Sequence, residues 1–254
     1  MALLEVVNVS LRFGGLYALT DVDLDVDEGT LVAVIGPNGA GKTTLFNVIA
    51  GRFKPTAGDV RLAGRSIRSL GLREVNLLGV ARTFQIARPF ASLSVAQNVQ
   101  AALAPHRDGG RRHSSLTPRW RDADARRRLA ELLELTELTS VAHRRANELN
   151  IGGLRRLEIA RALAGEPTLL LLDEPAAGIG ADGIRPLADL IRAIREHHTT
   201  ILLVEHYVGF ALSLADRVVV LDEGRKLADG DPDTVRRDPR VIAAYLGTDA
   251  GETQ

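Results

Sequence analysis

LVAVIGPNGAGKTTLFNVIA, Leu31 to Ala50, decides the fold. It opens with LVAVI, apolar without interruption, as in a strand buried on both faces of a parallel sheet. GPNGAGKTT, Gly36 to Thr44, then fits the pattern G-x-x-x-x-G-K-[ST], and the residues from Thr43 to Ala50 read as a helix. Strand, glycine loop and helix in that order are the context of a phosphate-binding loop. Glycines at 36, 39 and 41 let successive backbone N–H groups turn inward around an anion, and the helix N-terminus aims its positive end at the same place. The expected nucleotide-binding segment is therefore Gly36, Pro37, Asn38, Gly39, Ala40, Gly41, Lys42, Thr43 and Thr44. Lys42 is placed to neutralise β- and γ-phosphates, and the Thr43 hydroxyl to hold Mg²⁺.

Outward from this loop, strand and helix signals alternate, which predicts an α/β layered fold. LLLLD (Leu169 to Asp173), TILLVE (Thr200 to Glu205) and RVVVLDEG from Arg217 share the unbroken apolar character of the first strand. DVDLDVDEG alternates Val22, Leu24 and Val26 with acidic residues, as a strand with one wet face does. Crossover helices are expected at Thr43 to Ala50, Leu154 to Leu163, Ile184 to Glu196 and His206 to Leu214. Between about Ile86 and Glu148 only helices are predicted. SVAQNVQAALA starts on a Ser cap at Ser94, and ADARRRLAELLELTEL, from Ala123, gathers Leu129, Leu132, Leu133 and Leu135 on one face. The Gly, Ser, Pro and Arg segment HRDGGRRHSSLTPRWRD between them reads as a loop.

The composition narrows the function classes. The 254 residues carry 32 basic and 32 acidic side chains and are 45% apolar, enough for a buried core and too apolar for a disordered chain. Zero net charge gives no global attraction for nucleic acid or an anionic membrane. Residues 107–128, with eight arginines against three aspartates, form the one strongly basic segment. The absence of cysteine removes disulfides, thiolate zinc sites and cysteine nucleophiles together. No secretory leader is read in MALLEVVNVS, and the longest stretch without Asp, Glu, Lys or Arg, Pro89 to His106, is too polar to span a bilayer.

Further polar groups fall where a phosphate loop needs them. Asp173 ends a buried strand, at the edge where open α/β sheets bind ligands, and suits Mg²⁺ held through water. Glu174 beside it suits orientation or deprotonation of an attacking water. The Gln85 amide, at the entrance to the helical region, can touch the metal or that water, and His206, ending a strand, can donate to a γ-phosphate.

The order of these motifs resembles the ATP-binding-cassette (ABC) ATPases: GPNGAGKT, then Gln85, a helical region, LNIGGLRRLEIARAL, LLLLDE and His206, across about Leu4 to Leu246. The resemblance implies a phosphate-loop, RecA-like α/β core with an N-terminal antiparallel β-subdomain and an inserted all-helical subdomain. It divides one ATPase domain into a nucleotide-binding core at residues 1–85 and 158–230, a helical insert at 86–157 and a short helical tail at 231–254. It implies ATP and Mg²⁺ as the bound groups, with Thr43, Gln85 and Asp173 toward the metal and Glu174, His206, Gln85 and Lys42 in catalysis. Phe13, in LRFGGLYAL, occupies the place of the family's adenine-stacking aromatic. LNIGG stands where the family has LSGGQ, so Asn150 and Gly152 are expected at the γ-phosphate bound by a second ATPase subunit. AAGIG after Pro175 departs from the family's SALD.

ARTFQIARPFASLSVAQNV, LDEPAAG, TTILLVEH and VIAAYLG together resemble the larger type of ATP-binding subunit of branched-chain amino acid importers. Such transporters combine two ATPases, identical or paralogous, with two transmembrane permeases and an external solute-binding protein. That implies a cytoplasmic subunit, peripheral on the inner membrane face, that binds no nucleic acid. A urea or amide importer and a non-transport phosphate-loop enzyme are the alternative readings.

Overall fold

The computed structural model describes residues 2–83, 89–103 and 123–249. In chain order the strands are β1 (Ala2–Phe13), β2 (Leu16–Asp27), β3 (Leu31–Ile35), β4 (Ala57–Leu62), β5 (Arg65–Ser66), β6 (Val80–Arg82), β7 (Leu169–Asp173), β8 (Thr200–Val204), β9 (Arg217–Asp222) and β10 (Arg225–Gly230). The helices are α1 (Lys42–Ile49), α2 (Leu72–Leu77), α3 (Val95–Ala102), α4 (Ala123–Leu135), α5 (Ile151–Leu163), α6 (Ala181–Glu196), α7 (Val208–Leu214), α8 (Pro232–Arg237) and α9 (Pro239–Asp249). One sheet is antiparallel, in the order β2-β1-β4-β5; the other runs β10-β9-β3-β8-β7-β6 and is parallel except at β10.

The unbroken apolar strands are buried on both faces, and their period of two assigns each residue to one of two cores. Leu31, Ala33, Ile35, Leu170, Leu172, Ile201, Leu203, Val218 and Val220 face a core shared with α3 to α9. Val32, Val34, Leu169, Leu171, Leu202, Val204, Val219 and Leu221 face the other, where Leu45, Phe46, Val48 and Ile49 of α1 meet the antiparallel sheet. The helix that follows the phosphate loop is thus held between two sheets.

The region between β6 and β7 contributes to the first core through Val95, Val99, Leu132, Leu133, Leu138 and Ala146. Its described part is helical, apart from a single bridge between Ser94 and Arg145. Ser94 caps α3 as read, accepting from the Gln97 N–H while the Gln97 side chain accepts from the Ser94 N–H. Three helix starts differ by two residues or more from the sequence reading. α5 begins at Ile151, three residues early, because the Asn150 side chain caps it. α6 begins at Ala181, three residues before Ile184, with Gly180 as its extended N-cap. α7 begins at Val208 because Tyr207, its N-cap, has non-helical backbone (ψ of 88°), with its N–H directed at the Glu205 carboxylate. The 107–122 part of the basic segment lies outside the described residues.

Candidate functional site

The phosphate loop joins the end of β3 to α1 with backbone that only glycine adopts easily. Gly36, Gly39 and Gly41 have φ of 150°, 81° and 98°. A Cβ on Gly36 would meet the Leu221 carbonyl oxygen at 2.0 Å, so the loop enters beneath β9 with no room for a side chain. Gly41 occupies the N-cap of α1 and no side chain caps that helix, which leaves its first-turn N–H groups to an anion. Lys42 folds back, donating from Nζ to the carbonyls of Gly36 at 2.6 Å and Pro37 at 2.9 Å. Burial lowers its pKa, while Glu174, Asp173 and Glu205 pull it back up.

An open cleft of about 520 Å³ lies over this loop. It is lined by Asn38 to Thr44, by Leu16, Tyr17 and Ala18 of β2, and by Glu174, Glu223 and Gly224. The volume is in the range of small-ligand sites. Glu174 follows β7 with φ of 47°, a left-handed geometry for a residue with a full side chain. Its N–H donates to the Val204 carbonyl at 2.9 Å, which fixes that turn against β8. Its carboxylate is 12% exposed and lies 3.6 Å from the His206 Nδ1. A non-glycine residue held left-handed beside a cleft is the kind of local strain found at working sites.

Asp173 is 3% exposed and fixed from β6: Arg82 Nη2 donates to Oδ2 at 2.7 Å, and the Asp173 N–H donates to Thr83 Oγ1 at 3.2 Å. Its other carboxylate oxygen, Oδ1, is buried and has no hydrogen-bond partner among the described residues. Glu205, fully buried behind Glu174, accepts from the Ala176 N–H at 2.8 Å. Burial raises its pKa against the opposing pull of the Ala176 and Tyr207 N–H groups. The sequence reading passed over Arg82, Thr83, Glu205 and Tyr17. Only Tyr17 carries a local signal, since it lies in the same LRFGGLYAL segment as Phe13.

The structure therefore brings together Gly36 to Thr44, Asp173, Glu174 and His206. Phe13 ends β1 outside the cleft lining, 47% exposed, with its ring 5.3 Å edge-on from Phe53. Asn150 and Gly152 stand apart at the N-terminus of α5, where Asn150 Oδ1 accepts from the Gly153 N–H at 2.8 Å and Ile151 is 53% exposed. Gln85 lies outside the described residues.

A glycine loop, an uncapped helix N-terminus and an adjacent lysine suit a polyphosphate. The unsatisfied Asp173 Oδ1 and the exposed Thr43 are the donors that fit Mg²⁺. Among the described residues no three His, Cys, Asp or Glu side chains cluster as a metal cage.

Comparison with known proteins agrees with this geometry. A family model described as ABC transporter matches residues 19–177, and one described as branched-chain amino acid ATP-binding cassette transporter matches residues 225–251. The chain is 43% identical over 249 residues to the high-affinity branched-chain amino acid transport ATP-binding protein LivG of Salmonella typhimurium, covering 96% of this chain and 98% of that one. The corresponding protein BraF of Pseudomonas aeruginosa is 42% identical, with the same coverage. A solved ATP-binding cassette of an ABC transporter superposes with a TM-score of 0.85 at 28% identity, covering 96% of this chain and 99% of the other. A dimeric cassette bound to ADP and Pi superposes with a TM-score of 0.76 at 26% identity, covering 90% and 98%. With its phosphate loop, its cleft and these relatives in agreement, the chain belongs to the ABC transporter family, as an ATP-binding and ATP-hydrolysing subunit.

Proposed function

We propose that this ATPase energises import of branched-chain amino acids and that hydrolysis runs through Glu174. The substrate class is supported by the relatives' names and by the family match at residues 225–251. The role of Glu174 rests on one observation: a nearly buried carboxylate, locked in left-handed geometry, faces the phosphate cleft with His206 3.6 Å away. There it takes a proton from the attacking water, while His206 and Lys42 hold the γ-phosphate and Gln85 orients metal and water. Thr43 and Asp173 would hold Mg²⁺, which would neutralise charge on the phosphates. Phe13, braced by Phe53, offers its exposed face to adenine.

ATP then closes a head-to-tail pair of ATPase subunits, with Asn150 and Gly152 of one chain on the nucleotide of the other. The nucleotide core, residues 1–85 and 158–230, passes this motion to the insert, residues 86–157. No described helix is long and apolar enough to cross a membrane. The transport role in the relatives' names supports contact with the bilayer through two permease subunits. Phe90 is the apolar contact offered to them. It is 52% exposed, over it lies the Arg161 guanidinium at 5.2 Å, and its backbone is pinned by the buried Asn98 through bonds of 2.8 and 3.0 Å.

The test is reconstitution with permeases and an external binding protein in proteoliposomes. Leucine, isoleucine or valine outside the vesicle stimulates ATP hydrolysis, and Glu174→Gln slows it by at least ~10²-fold while retaining ATP binding. Normal turnover in Glu174→Gln removes that residue from the chemistry. Stimulation by urea or amides, and none by these amino acids, reassigns the substrate.

A further inference from the structure

The reaction as proposed gives the buried charge of Arg82 no task. Arg82, the last residue of β6, has a side chain only 8% exposed. Its guanidinium is anchored three ways. Nη2 donates to Asp173 Oδ2 at 2.7 Å, Nη1 donates to Asn47 Oδ1 on α1 at 2.6 Å, and the guanidinium carbon lies 5.8 Å from the centre of the Phe46 ring. Thr83, the next residue, accepts from the Asp173 N–H. Backbone and side chain of Asp173 are thus both held by two consecutive residues at the end of β6.

A buried ion pair is weak evidence for stability, because desolvating two charges offsets most of their attraction, and an apolar pair in its place is often neutral or better. What an arginine fork supplies is a fixed plane. The terminal torsion of Asp is soft, and a planar donor that is itself held on both sides removes that freedom. The outcome is visible at Asp173: Oδ2 is engaged, and Oδ1 is buried with no hydrogen-bond partner among the described residues. A buried acceptor left unused is unfavourable unless something arrives to use it.

The geometry points to Arg82 as a positioning residue that holds Asp173 with Oδ1 presented to the nucleotide-bound divalent cation, and that ties this orientation through Asn47 to the helix bearing Lys42 and Thr43. This rests on the reading of Asp173 as a metal group. Metal and phosphate ligands come from different elements, β7 and the start of α1, and Arg82 is the side chain that joins them. Its loss therefore loosens metal binding within the nucleotide complex and leaves the metal-free affinity of the loop for nucleotide in place.

The experiment uses the full chain with a non-hydrolysable ATP analogue and Mn²⁺ as the probe, reading free Mn²⁺ by electron paramagnetic resonance. Arg82→Gln is expected to weaken Mn²⁺ binding about 10-fold or more, and Asn47→Ala about threefold, as for partners that orient a metal ligand. Nucleotide affinity without metal stays within about twofold of the parent in both, a split that a purely structural role does not produce. Arg82→Lys keeps the charge but not the fork, and recovers only part of the loss. Asp173→Asn is the control, losing Mn²⁺ affinity on its own. If Asp173→Asn weakens Mn²⁺ binding while Arg82→Gln and Asn47→Ala leave it unchanged, the positioning role of Arg82 is overturned. If Asp173→Asn binds Mn²⁺ like the parent, the metal reading of Asp173 falls, and this inference with it. Should Arg82→Gln not fold, Asn47→Ala decides alone.

Discussion

At the scale of the residue, glycines of one loop do different work. Gly36 is constrained twice: its φ of 150° is disfavoured for any other residue, and its missing Cβ makes room for the Leu221 carbonyl oxygen at 2.0 Å. Gly39 has φ of 81° with nothing within 4 Å of a built Cβ, so it is constrained by backbone alone. Gly39→Ala should then cost about 1–2 kcal/mol, the ordinary penalty for left-handed backbone. Gly36→Ala adds a clash with a central strand, for a total of about 3 kcal/mol or more, and displaces the loop enough to weaken ATP binding. Urea denaturation of the two variants, each paired with a nucleotide titration, tests the ranking. Equal losses would show that the close approach to β9 is easily relieved. Glu174 shows the same logic in reverse: a residue with a needed side chain tolerates φ of 47° where glycine would be easier.

At the scale of the element, the start of α5 couples stability to function. Asn150 caps it through Oδ1, and the next three residues, Ile151, Gly152 and Gly153, are poor or indifferent helix formers that the cap must carry. Asn150→Ala should destabilise the chain by ~1 kcal/mol. Asn150→Asp keeps the cap oxygen and adds a charge that favours the helix dipole, yet it directs that charge at the partner's phosphates. Its melting temperature should equal or exceed the parent's while ATP-driven dimerisation is lost, read by calorimetry and size-exclusion chromatography. Retained dimerisation would place the partner's nucleotide away from Asn150. This helix also shows what a sequence discloses. Strands β3, β7, β8 and β9 were legible because burial on both faces writes an unbroken apolar run, and the phosphate loop because its residues are neighbours in the chain. The first turn of α5 was not legible, since glycines argue locally against the helix that a cap and the core then impose. β4 and β5 were missed as well, being short and polar. Arg82 and Glu205 escaped notice for another reason: their partners lie 91 and 29 positions away, and no local pattern marks a charged side chain as buried.

At the scale of the whole molecule, the nucleotide site depends on two sheets keeping their spacing around α1, and a charged seam at their edge contributes to that. Arg217 of β9 donates from Nη1 to Asp25 of β2 at 2.8 Å, and from Nε and Nη2 to Asp229 of β10 at 2.6 and 2.8 Å. Lys226 adds a bond to Asp229 at 2.9 Å. Burial by itself would raise the Asp229 carboxyl, but the hydrogen bonds from Arg217 and Lys226 outweigh it and hold the carboxyl below its ordinary value. A depressed carboxylate stabilises the folded chain fully above its unfolded pKa of about 3.9, and that contribution disappears as pH falls through the lower folded value. Arg217→Met should therefore cost about 1 kcal/mol near neutral pH, a modest amount because the seam is part-exposed. The gap between parent and variant should stay constant from pH 7 to about pH 5, then narrow below about pH 4 as the parent's Asp229 takes up its proton. Asp229→Asn should remove the same pH-dependent component with Arg217 intact. Urea denaturation of all three proteins at neutral and acid pH measures this. A gap that persists unchanged into acid would mean that Arg217 joins the sheets through the packing of its aliphatic stem and not through its charge.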